Sequence, residues 1–595
     1  MNDAGDTDPQ PELPTWSLDD LYSGQEAPEL TADLEWLRAE IANFRTAYEG
    51  RLVLLNGAGL AAAIRAFEAI SERLGRVLSY VDLLRAGDIN DTAIGRFSQT
   101  TREQVTNIST EILFFTLELN RIDDDVLEQK MADPEAASYA PWVRDTRVFR
   151  NHQLSDDLEK LLHEKIVTGR NAWIRLFNET MSDMCFEVDG KENTLDEILN
   201  LLNATEGETR KSAGYALGRG LINNIRTLTL ITNTLAKDKE IEDQWRGYPN
   251  PVSYRNLANH VEDEVITALV GSVRHSFGEL SHRYYRLKAR WFGVDQLDWW
   301  DRNAPIPGDN DRRYSWNEAR ELVLDAYRGF APEISEIAGR FFAESWIDAL
   351  PRRGKAPGAF SHPTVPSVHP YVLVNHHGHA RDVMTLAHEL GHGVHQVLAA
   401  GQGALMAETP LTLAETASVF GEMLTFRAML ARETNTECRR VLLAGKVEDM
   451  INTVVRQVAF HQFETLVHTE RVGGELSAER LGDIWVEVQE ESLGPALRLD
   501  DNYRPFWAYI PHFIHAPFYV YAYAFGDCLV NSLYGVFARG HDGFQQKYLD
   551  LLRAGGTLRL RELLAPFSLD ASDPEFWKRG LSVISGFIDE LEGAS

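Results

Sequence analysis

His388-Glu389-Leu390-Gly391-His392 spells an HExxH motif. Residues four apart on a helix share a face with their Cβ atoms about 6 Å apart, so both imidazoles can meet a single zinc ion. Glu389 follows the first imidazole and lies beside such an ion without having to bind it. There it can take a proton from a metal-activated water as general base. The chemistry this spacing supports is metal-assisted hydrolysis. A catalytic zinc needs a third protein ligand and an open fourth position. A third His six residues after the second is excluded, because residue 398 is Leu. Downstream, LTLAETASVFGEML follows Pro410 and sets Glu415 and Glu422 seven residues apart on one helix face. Glu415 is the expected third ligand. Glu422, two turns on, suits a supporting hydrogen bond that fixes a ligand imidazole. Glu408 is a weaker candidate. His376, His377, His379 and His395 lie close in sequence. Rings from consecutive helical turns do not readily converge on one tetrahedral ion, so these four suit substrate contact or support better than ligation.

These side chains need elements to hold them. Apolar residues recur at Leu386, Leu390, Val394 and Val397, which predicts a helix over Val383–Ala400 started by Asp382 and ended by Gly401. Gly391 and Gly393 interrupt it at about 1 kcal/mol each relative to Ala, a cost that points to close approach by another backbone or a ligand. Upstream, Tyr371–Val374 lies between Pro370 and Asn375 and reads as a short strand. It could pair with an extended peptide, which makes Tyr371, Val372 and Asn375 substrate-side candidates. Near the C-terminus, Ile510–Gly526 combines His512 and His515 with Tyr519, Tyr521 and Tyr523. Phenols and imidazoles there can donate to the oxyanion of a tetrahedral intermediate, with His515 and Tyr523 also suited to substrate contact. If Pro517 begins a helix, Tyr519 and Tyr523 share a face and Tyr521 points away.

The rest of the chain reads as amphipathic helices, for example Leu30–Tyr48, Leu60–Leu84, Ser98–Leu119 and Leu154–Leu176. Glu187–Glu192 carries an Asp-Gly hairpin signal. Asp301–Gly308 and Pro351–Pro370 read as loops. The expected organisation is an acidic, Pro-rich tail over 1–14, a helical domain over 15–200 and a catalytic domain over 201–595. The 595 residues carry a formal net charge of −30, which opposes binding to nucleic acid or to anionic lipid. The long apolar stretch Ala516–Ala538 contains Asp527 and Asn531 and is rich in Tyr, so a buried helix is expected there rather than a membrane span. Three widely spaced cysteines and no secretory leader of the usual form point to a cytoplasmic protein without a disulfide framework.

Taken together, LAHELGHGVHQ, LAETAS, PYVLVN, PHF and FYVYAYAFG make the chain resemble the M3 family of zinc metallopeptidases, most closely its oligoendopeptidase F branch. The resemblance runs from WSLDDLY nearly to the end. It implies a mainly α zincin-type fold, with a large helical body split by a deep channel that admits short peptides, and a small sheet beside the HExxH helix. It also implies one zinc per chain on His388, His392 and Glu415, with Glu389 as base, and cleavage of internal bonds in short oligopeptides. The motif match puts Tyr521 in the family's tyrosine role, whereas helical facing favours Tyr519 with Tyr523. The competing readings are a peptide-binding scaffold without turnover and a zinc carboxypeptidase or dipeptidase on a related helical channel.

Overall fold

The computed structural model describes residues 13–308 and 312–593. Residues 1–12 of the expected tail lie outside the described residues. Among the described residues the chain is mainly helical, with two two-stranded sheets and one three-stranded sheet. It forms two compact units, each assembled from separated stretches. The first comprises Met1–Arg150, Asp311–Arg432 and Gly540–Ser568, and the second Asn151–Asn310, Glu433–Arg539 and Leu569–Ser595. The expected boundary at residue 200 falls inside the second unit.

In the first unit, helices Pro28–Tyr48 and Gly57–Gly87 pack side by side, and Phe44, Phe67, Phe115 and Trp142 join their core. The helix expected over Ser98–Leu119 is broken into Thr92–Thr110 and Leu113–Arg121. The three-stranded sheet has Tyr371–Leu373 at its centre, parallel to Ile347–Asp348 and antiparallel to Phe360–His362. Its loop is held by buried Asp348. Arg352 donates to both carboxylate oxygens at 2.7 and 2.8 Å, and the Lys355 ammonium reaches the Asp348 carboxylate, the Asp348 carbonyl and the Val374 carbonyl. Such a buried charge is tolerable because every partner is a close hydrogen-bonding group. On the outer side of Ile347–Asp348, the Ala349 amide donates to the Pro14 carbonyl and the Ser17 amide to the Ser345 carbonyl, so the segment at 14–17 covers that edge.

The HExxH residues lie on helix Ala380–Ala399, close to the expected span. Asp382 sits at its third position and accepts from the His377 and His379 amides, so it caps from inside the helix rather than from before it. This motif helix packs along helix Leu411–Arg432. At Gly391 an added Cβ would stand 2.5 Å from the Ala417 carbonyl oxygen and 2.6 Å from Ser418 Cα, and at Gly393 it would stand 2.5 Å from the Phe341 ring. Both glycines are therefore explained by close packing. Tyr548, on helix Phe544–Arg553, donates to the Thr416 carbonyl at 2.7 Å and steadies the second helix from behind.

The second unit is built around the 40-residue helix Gly207–Arg246, which ends at Gly247 in the left-handed conformation. The expected hairpin is present: Phe186–Val188 pairs with Lys191–Asn193, and the Asp189-Gly190 turn has positive φ at both residues. The helix expected over Leu154–Leu176 is interrupted at Gly169, giving Asp156–Lys165 and Arg170–Asp183. Helices Thr436–Met450 and Arg456–Arg471 run on through a π-helical turn at Ile451–Val455. The apolar stretch near the C-terminus is the buried helix Tyr521–Ala538, packed against Pro574–Gly593. No helix of the described residues is long and apolar enough to cross a membrane. The three cysteines form no disulfide.

The contact at Gly391 gives a test of the helix crossing. Because backbone atoms block the added methyl, Gly391→Ala must push the two helices apart and is expected to cost about 1–3 kcal/mol. This should be read as a lower urea midpoint, and a midpoint unchanged from the parent would show that the crossing is looser than described.

Candidate metal centre and active site

The helix crossing decides what the motif residues can reach. His388 and His392 project from one face of the motif helix with ring centroids 4.9 Å apart. Glu415, one turn into the second helix, brings Oε2 to 3.4 Å from His388 Nε2 and 3.5 Å from His392 Nε2. One ligand atom from each of the three residues lies within 4.8 Å of the others. Donors held about 2.0–2.1 Å from a tetrahedral ion stand roughly 3.3–3.4 Å apart, so these two spacings suit a shared divalent ion. Two imidazole nitrogens and one carboxylate oxygen form a donor set that suits zinc.

Two hydrogen bonds orient these donors. Glu422 Oε2 lies 3.3 Å from His388 Nδ1, leaving Nε2 to face Glu415. The Ser418 hydroxyl donates to Glu415 Oε2 at 2.7 Å. Ser418 was not among the sequence candidates, although its spacing of three from Glu415 on a helix was a usable signal. On the motif helix, Tyr327 donates its hydroxyl proton to the Ala387 carbonyl.

Electrostatically the centre is crowded with negative charge. Glu389 is 8% exposed, and burial pushes its carboxyl up to about 7, with Glu415 adding to the rise while His388 and a hydrogen bond from the Ser361 amide oppose it. Burial alone would lower His388, yet the Glu422 hydrogen bond and the charges of Glu415 and Glu389 raise it overall. Burial holds His392 down at about 4, so that ring is neutral at pH 7 and its lone pair is available to a metal. Three carboxylates around two imidazoles in a partly dry site are mutually repulsive, and a divalent cation relieves that repulsion.

The other candidates fall elsewhere. Glu408 is exposed and outside the cluster. His376 is buried against the Tyr314 carbonyl, His379 contacts Arg313, and His395 is buried and pushed down to about 4. The substrate-strand expectation needs correction. Tyr371 and Val372 are fully buried, both edges of their strand are already paired, and the Asn375 side chain donates to the Ala356 and Gly358 carbonyls. These three residues hold the sheet together. The side of the sheet toward the motif helix is the Phe360–His362 strand, where the Ser361 hydroxyl donates to Gln396 and the Ser361 amide faces Glu389. Nothing in local pattern marked Ser361, because its role depends on strand order.

The aromatic candidates belong to the second unit. Pro517 does not begin a helix: Phe518 adopts positive φ, and the helix starts at Tyr521. Even so, Tyr519 and Tyr523 lie with ring centroids 5.3 Å apart, and His512 Nε2 is 3.2 Å from the Tyr523 hydroxyl. Tyr523 is 39% exposed. Tyr521 is fully buried, with its hydroxyl accepting from the Asn259 amide at 2.9 Å, which removes it from that group. His515 bonds Asn178 at 2.8 Å, apart from the two tyrosines.

With this geometry in place, comparison with known proteins is specific. Residues 118–186 match the family model described as Oligopeptidase F, and residues 200–583 match that of peptidase family M3. Oligopeptidase PepF of Bacillus subtilis is 25% identical over 591 residues, covering 97% of this chain and 87% of its own. Group B oligopeptidase PepB of Streptococcus agalactiae is 24% identical, covering 88% of each. Among solved structures, a chain from Chlamydophila abortus superposes with a TM-score of 0.88 at 23% identity, covering 98% of each chain. Oligoendopeptidase-F from Enterococcus faecium superposes with a TM-score of 0.70 at 21% identity, covering 95% of this chain and 98% of its own. The chain belongs to peptidase family M3.

Proposed function

We propose that this chain is a zinc-dependent endopeptidase that cleaves internal bonds of short peptides. The observation that carries the reading is the convergence of His388, His392 and Glu415 with Glu389 beside them. Zinc held by these three residues would supply Lewis-acid polarisation of a scissile carbonyl and acidification of a water. The chain's own residues supply the rest. Glu389, buried between the His388 ring and the Ser361 amide, accepts the water proton on its carboxylate and returns it to the leaving amine. Glu422 holds the His388 ring in the orientation that presents Nε2.

An extended peptide would add to the outer edge of Phe360–His362, since the central strand is paired on both sides and the far edge is covered by residues 14–17. Main-chain pairing of this kind tolerates many side chains. For donation to the oxyanion the reading assigns His512 with Tyr519 and Tyr523, and it withdraws Tyr521. A scaffold without turnover would have no chemical use for a buried carboxylate at Glu389. A cytoplasmic location goes with this reading.

Glu389→Gln is expected to keep stoichiometric zinc while hydrolysis of a quenched fluorescent peptide falls about 10²–10⁴-fold. Undiminished turnover would remove Glu389 as the base. His388→Ala should lose both metal and activity, and a full complement of metal in that variant would overturn the ligand assignment. Glu422→Ala should weaken zinc about 10–100-fold in a chelator competition, with equal affinity in variant and parent counting against its supporting role. Mass spectrometry of products from a short synthetic peptide should show internal cuts, whereas release of terminal residues alone would favour a carboxypeptidase or dipeptidase.

A further inference from the structure

The second unit contains a cationic cluster that the hydrolytic residues do not use. Lys288 is fully buried, and its ammonium contacts Glu448 Oε1 at 2.5 Å and donates to the Arg302 carbonyl at 2.8 Å. Tyr284 donates to the same Glu448 oxygen at 2.7 Å, so that carboxylate is already engaged. Arg302 lies within electrostatic reach of Glu448 and of Arg456, and the charges of both arginines act on Tyr285 and Tyr503. Among the described residues neither arginine has a carboxylate within ion-pair distance. Arg456 reaches only the Tyr509 hydroxyl, at 3.4 Å, and lies over the Phe460 ring. Arg302 Nη1 and Arg456 Nε are buried and meet no hydrogen-bond acceptor of the protein.

Two neighbouring guanidinium groups without a counter-ion are costly, and they stand so although the chain has a net charge of −30 and 89 acidic residues. Nearby Asp301 does not relieve the excess, because it pairs with Arg210 at 2.6 Å. Counting Lys288, Arg302 and Arg456 against Glu448 leaves an excess of two positive charges at this spot. Local structure points the same way. The helix carrying Arg456 is widened by the π-helical turn at Ile451–Val455 immediately before it, a distortion that recurs at functional sites. Both arginines are half-buried as whole residues, and the charge of Arg456 is felt at His512.

We infer that Arg302 and Arg456 form an anion-binding subsite that takes a carboxylate of the peptide substrate. The planar fork of arginine matches a carboxylate in bidentate fashion, and neighbouring tyrosine hydroxyls can add neutral donors. Every unmodified peptide carries one such group at its C-terminus, and acidic side chains carry the same chemistry. The inference rests on the peptidase reading for its choice of ligand, while the uncompensated charge stands independently of it.

The test uses the full-length, metal-loaded protein and three versions of one short peptide: the free acid, the C-terminal amide, and the amide with a Gln near its C-terminus replaced by Glu. The free acid is expected to show kcat/KM about tenfold or more above the amide, carried mainly by KM. That ratio should fall toward one in Arg302→Gln and in Arg456→Gln. If the Glu-containing amide recovers the lost rate, the subsite reads acidic side chains; if it does not, it reads the chain terminus. Equal kcat/KM for acid and amide in the parent protein overturns the inference, as does an undiminished ratio in both variants. Should none of the peptides be cleaved, the peptidase reading fails separately, and calorimetric binding of the same three peptides to the parent protein gives the acid-to-amide ratio that decides the subsite.

Discussion

The backbone of the second helix passes directly over Gly391 of the first, and the rest of the centre depends on that approach. Gly391 meets the Ala417 carbonyl and Ser418 Cα at distances no side chain would permit. Because the two axes can come so near, a carboxylate one turn into the second helix reaches two imidazoles on the first, and Glu422 two turns further on reaches the back of His388. A wider crossing would leave Glu415 outside the range at which three donors can share one ion. Two glycines in a helix are unfavourable by propensity, and here that unfavourable term is offset by contacts that only glycine allows.

The same closeness sets the electrostatics. Drawing Glu389, Glu415 and Glu422 around two histidines creates a pocket of like charge that water reaches poorly. Glu389 responds by holding its proton up to about pH 7, whereas His392 gives its proton up. These opposite responses come from one cause, the poor solvation of charge; the neutral His392 ring has a lone pair to donate, and the clustered carboxylates of Glu415 and Glu422 attract a positive ion. The second unit shows the reverse imbalance at Arg302 and Arg456, where positive charge is gathered without an internal partner. A protein with a large acidic excess thus concentrates unbalanced charge of each sign at a specific place.

The small sheet illustrates how position in a fold changes the meaning of a motif. Tyr371–Leu373 has the composition of a strand that could bind peptide, but it is the centre of three, with its hydrogen-bonding groups already committed. The Phe360–His362 strand, half-buried and unremarkable in pattern, lies toward Glu389 through Ser361. Likewise, the motif around Tyr521 puts that residue forward as a candidate, whereas its buried bond to Asn259 and the exposure of Tyr523 place the accessible phenols on its neighbours.

What could be read from the linear chain follows physical distance along it. His388 and His392 relate to one another through one helical turn, with Glu389 next to the first, and Glu415 and Glu422 through two, so periodicity alone put each pair on one face. The helices Pro28–Tyr48 and Gly57–Gly87 and the Asp-Gly hairpin were legible for the same reason, since their geometry is decided by neighbours a few residues away. Tertiary structure alone settled the remainder: which strand holds the centre of the sheet, which tyrosines reach the surface, why Gly393 faces Phe341, and how Arg302 comes to stand beside Arg456. Each of these is a contact between residues far apart in sequence, made by packing several elements at once. No local pattern of side chains encodes such a contact, because the partner that gives a residue its role lies on a different stretch of the chain.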